Sequence, residues 1–282
     1  LKAVEYETKY IDYCLTKDDL NIANSYLIRA SMYEKLKDFK NLNKDLDKAI
    51  EISPTCYAYN WKARILIKNE EFAEASKYLK DNCLDDYADY YDKALVLIKI
   101  GGDLDKAAMY LDLSINELEG YVNQGIAKRD ELEMYYRLRA IIFESKNLPI
   151  ETLKFLNKII DINPKLKTDY NFTYWMIDTK YSTKDYLGTL KDVNELIESY
   201  PNKMELFDIK GYCLFSLSDY VGAIKAFSKA IELNPKEGNF YRMRGLARYY
   251  SKDKSGACVD WSKAGELGNY KAYDHIKDYC NN

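Results

Sequence analysis

The sequence is poor in helix breakers and in the residues that do chemistry. Its 282 residues include only 5 prolines and 12 glycines. Turns and loops draw heavily on both types, so little of the chain is left for loop. There is one histidine, His275. A single histidine cannot build an HExxH zinc site, and no Ser/His/Asp order, P-loop or GxGxxG is present. No run of about 18 apolar residues occurs, which excludes a membrane-spanning helix. No cysteine pair has CxxC or Cys/His spacing, so zinc has no ligand set. The chain also lacks a basic excess. With 42 basic against 45 acidic side chains the net charge is −3 and the pI near 5.5, which argues against a nucleic-acid binder. Carboxylates are abundant, but runs such as LNKDLDK and NEEFAEA have the pattern of a solvated helix face. No cofactor and no catalytic pair is indicated, and His275 reads as a surface residue of a C-terminal helix.

What the chain does have is ordinary hydrophobic content, 47%, and an excess of tyrosine, 28 in all. A tyrosine buries a large ring and keeps its hydroxyl wet, so the simplest use is packing at core and rim. A tyrosine-rich binding groove is the sharper alternative. The most informative feature is an internal echo. Gly211, Ala223, Phe227 and Ala230 return as Gly245, Ala257, Trp261 and Ala264, each at i+34. A fixed period of this length is the signature of a helical hairpin copied along a solenoid.

Prolines set the register of the rest. Pro54, Pro164, Pro201 and Pro235 each close an apolar-periodic segment (KAIEISP, KIIDINP, ELIESYP, KAIELNP). Proline cannot continue a helix, so each marks the end of a second helix. At i−24 from these prolines stand Ala30, Ala140, Ile177 and Gly211. Three of these are small enough for two helices to touch, and Ile177 is the exception.

These residues resemble the tetratricopeptide repeat family, whose first helix carries Leu-Gly and Tyr and whose second carries Ala, Phe, Ala and a closing Pro. The resemblance is strongest over 204–237 and 238–271 and fair over 23–56 and 133–166. It is weaker over 56–88 and 170–203. Over 87–127 only Ala94, Leu97, Ala107 and Leu111 remain, with an insertion at Gly101-Gly102-Asp103 and a longer second helix. It implies an all-α, tetratricopeptide-type superhelix: a single solenoid of about seven hairpin units, preceded by an N-terminal cap over 1–22 and closed by a capping helix over 270–282. The closing segment also resembles that of certain bacterial proteins of the family with no assigned function.

Six cysteines are present. In an antiparallel helix pair, residues equidistant from the turn lie level. The turn near Asn69–Glu70 mirrors Cys56 onto Cys83, and the turn near Gly268 brings Cys258 nearly level with Cys280. Each pair is a candidate disulfide, with six small buried thiols as the plain alternative. Cys14 and Cys213 read as free core thiols. Two disulfides would place the protein outside the cytosol, and the exported or periplasmic setting is favoured on that ground. The chain opens on Leu1, compatible with a removed leader or tag or with trimming.

The residue before the small first-helix position is basic in six of seven units: Arg29, Lys62, Lys93, Arg139, Lys210 and Arg244. Asp45 and Asp260 follow Arg29 and Arg244 at i+16. An internal ladder of ion pairs is the expectation. The concave surface of the family is formed mainly by first helices. Carried over by register, it offers Tyr57, Asn60 and Arg64, then Tyr91, Arg137, Tyr174 and Asp178, then Asp208, Tyr212 and Phe215, then Arg242 and Tyr249. Rings mixed with single charges suit an extended peptide or a protein surface. The Lys/Asn clamp that part of the family uses for a C-terminal carboxylate is not reproduced by Asn60 and Arg64. The expected function is therefore a non-catalytic scaffold for a protein or peptide. An exported binder of a small molecule or glycan is the alternative, and would need an enclosed aromatic pocket. An enzyme hidden in 87–132 would need a cluster of buried, perturbed carboxylates there. Partner identity and oligomeric state have no signature in the sequence.

Overall fold

The computed structural model describes residues 1–15, 21–80, 83 and 86–280. The remaining parts of the segments 1–22, 56–88 and 270–282 lie outside the described residues. Two compact units divide the chain, Leu1–Ile142 and Phe143–Asn282. All regular structure among the described residues is helical.

The first unit holds α1 (Lys2–Leu15), α2 (Ile22–Lys35), α3 (Phe39–Ile52), α4 (Cys56–Lys68), α5 (Phe72–Ala75), α6 (Tyr87–Lys99), α7 (Leu104–Asn123) and most of α8 (Leu132–Ser145). The second holds α9 (Pro149–Ile162), α10 (Tyr170–Ser182), α11 (Tyr186–Ser199), α12 (Met204–Ser216), α13 (Tyr220–Leu233), α14 (Gly238–Tyr250), α15 (Lys254–Glu266) and α16 (Lys271–Tyr279). Within each unit the elements alternate as first and second helices of hairpins, α2 to α7 in the first and α10 to α15 in the second.

One turn design recurs inside the hairpins. The second residue after the first helix has positive φ: Lys37 at 58°, Glu70 at 63°, Lys184 at 66°, Ser218 at 63° and Lys252 at 73°. The last three are spaced by 34, the repeat period. A left-handed residue there ends the helix and lets the next N–H reach back, as Asp219 N does to the Leu214 carbonyl at 2.9 Å. The following aspartate then caps the second helix. Asp185, Asp219 and Asp253 accept from the backbone N–H of Gly188, Gly222 and Gly256 at 3.0, 2.9 and 2.8 Å. The sequence D-x-x-G thus encodes an N-cap with no Cβ to crowd its carboxylate.

Each unit buries its own strips of core. In the first, Ala30, Leu42, Leu46 and Ile65 join α2, α3 and α4, and Ala63, Leu66, Ala75, Leu79 and Val96 continue the stack. Ile11 and Cys14 of α1 cover Ile22. In the second, Ile177, Val193, Leu206 and Cys213 link α10 to α12. Ile177 takes the small-residue position and is only 1% exposed, so this pair tolerates a branched residue where others use Gly or Ala. At the C-terminal end Ala272 and Ile276 of α16 cover Ala257, Trp261 and Ala264.

The unit over 56–88 departs most from its expected hairpin. Its second helix, α5, is only 4 residues long. Ser76 Oγ donates to the Ala73 carbonyl at 2.8 Å where the helix stops, a side-chain competitor to the helical ladder. The long α7, 20 residues, follows the Gly101-Gly102-Asp103 turn, where Gly101 takes φ of 67°.

Candidate functional site

The basic residues of the first helices form a ladder inside the stack. Arg29 donates two bonds to Asp45, both at 2.7 Å, and a third to Thr8 Oγ1 of the preceding helix at 3.1 Å. Arg244 repeats this on Asp260 at 2.9 and 2.7 Å, and on Ser228 Oγ of the preceding helix at 3.1 Å. Tyr26 and Tyr241 lie 5.4 and 5.5 Å from the two guanidinium carbons. Lys62 reaches Asp47 and Asn43 at 3.0 Å. Arg139 reaches Asp112 at 2.9 Å, and Lys93 donates to the Leu79 carbonyl. These cations tie neighbouring helices together and are not offered to a ligand. Lys210 is half-buried on α12.

In the first unit, Tyr57, Asn60 and Arg64 of α4 meet at one cleft of about 440 Å³, which Glu34 of α2 and Asp86 and Asp89 at the start of α6 also line. Arg64 is held by Asp89 at 2.7 Å, Asp92 at 2.9 Å and Asp86 at 3.7 Å. Burial raises the Asp92 carboxyl to about 6, against the pull of Arg64. Asp89, buried, and Asp92, half-buried, are carboxylates of the 87–132 region, and both serve as partners of a guanidinium. Asn60 is 5% exposed. Its Nδ2 donates to the Cys83 carbonyl at 2.7 Å, while its Oδ1 has no hydrogen-bond partner among the described residues. Tyr57 and Trp61 present adjacent rings, centroids 5.7 Å apart. Tyr91 lies away from this cleft, with its ring 4.6 Å from that of Tyr135, and Arg137 pairs with Glu133 at 2.8 Å.

The second unit brings four predicted residues into one neighbourhood. Tyr212 accepts from Asn239 Nδ2 at 2.8 Å, and Arg242 Nη2 donates to Asn239 Oδ1 at 2.8 Å. Asp208, one turn before Tyr212, keeps a buried Oδ1 with no hydrogen-bond partner, as does the Nε of Arg242. Burial and Glu237 push the Asp208 carboxyl up to about 7, while Arg242 opposes the shift. Tyr174 of α10 feels the charge of Asp208, and its burial raises its hydroxyl to about 12. Asp178 sits a turn further along α10, its carboxyl also raised by burial. Phe215 and Tyr249 point elsewhere. Phe215 packs edge-on to Tyr220 and Tyr250, and Tyr249 lies against Tyr279 at 4.6 Å and Trp261 at 6.0 Å. His275 lies tilted against Trp261, ring centroids 5.1 Å apart, and burial, then Arg242, lowers its pKa.

The sulfur atoms of Cys56 and Cys83 are joined, with Cα atoms 4.8 Å apart, and those of Cys258 and Cys280 likewise at 5.9 Å. Cys14 and Cys213 are buried free thiols.

Sequence reasoning missed Glu34, Trp61, Asp86, Asp89 and Asn239. Asp86, Asp89 and Asp92 are spaced by three, which reads as a solvated stripe. Nothing local shows that Arg64, on a separate helix well before them, faces them. Asn239 sits in a first turn, where a polar residue attracts no notice.

A tetratricopeptide repeat family model matches residues 23–56 and 205–237. These two matched segments recur within the same pattern of hairpins, turns and caps. They are tetratricopeptide repeats. Solved tetratricopeptide structures share the fold. MamA from Desulfovibrio magneticus RS-1 is 17% identical with a TM-score of 0.54, over 66% of this chain and 97% of that one. YrrB, described as a tetratricopeptide protein with an unusual peptide-binding site, is 16% identical with a TM-score of 0.52, over 73% and 97%. A tetratricopeptide repeat protein from Parabacteroides merdae ATCC 43184 is 15% identical with a TM-score of 0.50, over 92% and 99%. At such identities the likeness is one of fold. No curated protein sequence matches the chain.

Proposed function

We propose that this repeat chain is a non-catalytic scaffold that binds a protein or peptide on the face built by its first helices. The observation that carries the reading is the cluster of Asp208, Tyr212, Asn239 and Arg242 on α12 and α14. There a carboxylate oxygen and a guanidinium N–H in one neighbourhood lack protein partners. A peptide group offers both a donor and an acceptor, so it can satisfy both at once. Tyr212 and Tyr174 add ring surface beside them, the mixture that recognition surfaces favour. YrrB, of the same fold, is named for its peptide-binding site, which supports the reading by analogy. Asp92 and Asp208, the carboxyls raised to about 6 and about 7, each neighbour a guanidinium group, an arrangement suited to structure and recognition rather than to acid–base turnover.

The test is selection of peptides from a random display library on the full chain. Tyr212→Ala and Arg242→Ala should keep the helical circular dichroism of the parent and lose the captured peptides by about tenfold or more. Undiminished capture by both variants would refute the assignment to this face.

A further inference from the structure

The cleft on α4 has a chemical character of its own. Glu34, Asp86 and Asp89 line it, against the cation Arg64. That cation is already committed. Its Nη2 lies 2.7 Å from Asp89 and its Nε 2.9 Å from Asp92. An anionic ligand would have to strip Arg64 from these carboxylates, whereas a cation enters a site with negative charge to spare.

Asn60 supplies an independent observation. It is 5% exposed and lines the cleft. Its orientation is fixed, because Nδ2 is engaged by the Cys83 carbonyl at 2.7 Å. The other end of the amide, Oδ1, is a buried acceptor with no partner among the described residues. A buried acceptor is stable only when a donor meets it, and an ammonium or guanidinium brings several. Beside it, Tyr57 is 65% exposed and pairs with Trp61 at 5.7 Å. Trp61 itself is half-buried, and an exposed ring braced by it next to carboxylates is a surface on which an organic cation is held by ring face and charge together. Among the described residues, no group of three or more His, Cys, Asp or Glu could hold a metal ion. The volume of about 440 Å³ falls within the range of about 300–1,000 Å³ usual for ligand clefts.

We propose that the cleft formed by Glu34, Tyr57, Asn60, Trp61 and Asp89 is a subsite for a cationic side chain, lysine or arginine, of a bound peptide. The inference rests on the peptide-binding reading above and adds the charge class of the ligand. In this subsite Asn60 Oδ1 accepts from the cation, the carboxylates balance its charge, and the rings flank its alkyl stem. The Cys56–Cys83 link sets where the Cys83 carbonyl stands, and so acts as a positioning element for Asn60.

The experiment is a titration of the oxidised full chain, followed by 15N–1H NMR at constant ionic strength. The probes are acetyl-tetralysine-amide, acetyl-tetraglutamate-amide and n-butylammonium chloride. Tetralysine should shift the Trp61 indole N–H and the Asn60 side-chain amide, and tetraglutamate should leave both unmoved. Asn60→Leu should weaken tetralysine about fivefold. Glu34→Gln changes only an exposed carboxylate, so folding is safe, and should weaken it about twofold. Still Trp61 and Asn60 signals under tetralysine, or equal shifts with tetraglutamate, would overturn the proposal. Butylammonium binding as tightly as tetralysine would overturn the peptide as source and leave a free amine. Library peptides that need Tyr212 and Arg242 would survive either failure, so the wider reading is judged separately.

Discussion

A Cβ on Gly245 would stand 2.6 Å from Nε1 of Trp261, the ring at i+16 on the partner helix. Gly211 stands in the same relation to Phe227, again at 2.6 Å. Both positions lack a side chain because the ring occupies that space. Gly245→Ala should therefore lower stability by about 1–3 kcal/mol, read as a fall in the urea midpoint. Gly120→Ala is the control, since nothing lies within 4 Å of a Cβ there. Equal effects at both sites would show that the ring does not fill the gap.

Asp260 is 2% exposed and receives both Arg244 and Arg248, the latter at 2.9 Å. Asp260→Ala would leave the part-buried Arg244 without its counter-charge, while Arg248 keeps Asp253 at 3.8 Å, and should cost about 3–5 kcal/mol. Arg248→Ala leaves the Arg244 pair intact and should cost about 1 kcal/mol or less. A chemical-denaturation series on the two variants checks this ordering.

The pH dependence has two opposing parts. Asp208 is raised from 3.8 to about 7 in the fold. The native carboxyl takes up its proton before the unfolded one does, so its contribution to stability improves as pH falls from about 7 towards 4. His275 is lowered from 6.5. There the unfolded state is protonated first, and stability is lost as pH falls below about 6.5. Asp208→Asn should stabilise most at about pH 8 and little at about pH 4. His275→Gln should remove part of the loss on mild acidification. Urea unfolding of both variants across that range decides, and a pH-independent gain from Asp208→Asn would contradict the raised carboxyl.

Denatured protein without reductant should show two reactive thiols, Cys14 and Cys213. Native protein should react more slowly, because Cys213 is buried and its thiol is pushed up to about 12. Reducing the Cys56–Cys83 link, across 27 residues, should cost about 2–4 kcal/mol. Six thiols by denatured titration would mean that neither pair is oxidised.

Architecture was legible in the sequence because the packing rule is local and repeated. Gly211 and Gly245, their rings and the closing prolines each state which helices touch. The D-x-x-G caps at Asp185, Asp219 and Asp253 carry the same period. The ion pairs Arg29–Asp45 and Arg244–Asp260 were also legible, since a spacing of i+16 spans one hairpin. The α4 cleft was only half visible. Tyr57, Asn60 and Arg64 followed from register, but Asp89 comes from the α6–α7 hairpin, whose second helix runs to 20 residues, where register no longer predicts facing residues. The short α5 was hidden for a related reason. Ala75 and Leu79 keep a helical spacing even though the helix ends between them.

Hydrogen–deuterium exchange on the full chain, with and without a library-selected peptide, tests the central claim most directly. The account predicts new protection in the first helices α12 and α14 of the second unit, including the segments that hold Tyr212 and Arg242. It predicts no change in the second helices α3, α13 and α15. Protection confined to those second helices, or no selectable peptide at all, would contradict it.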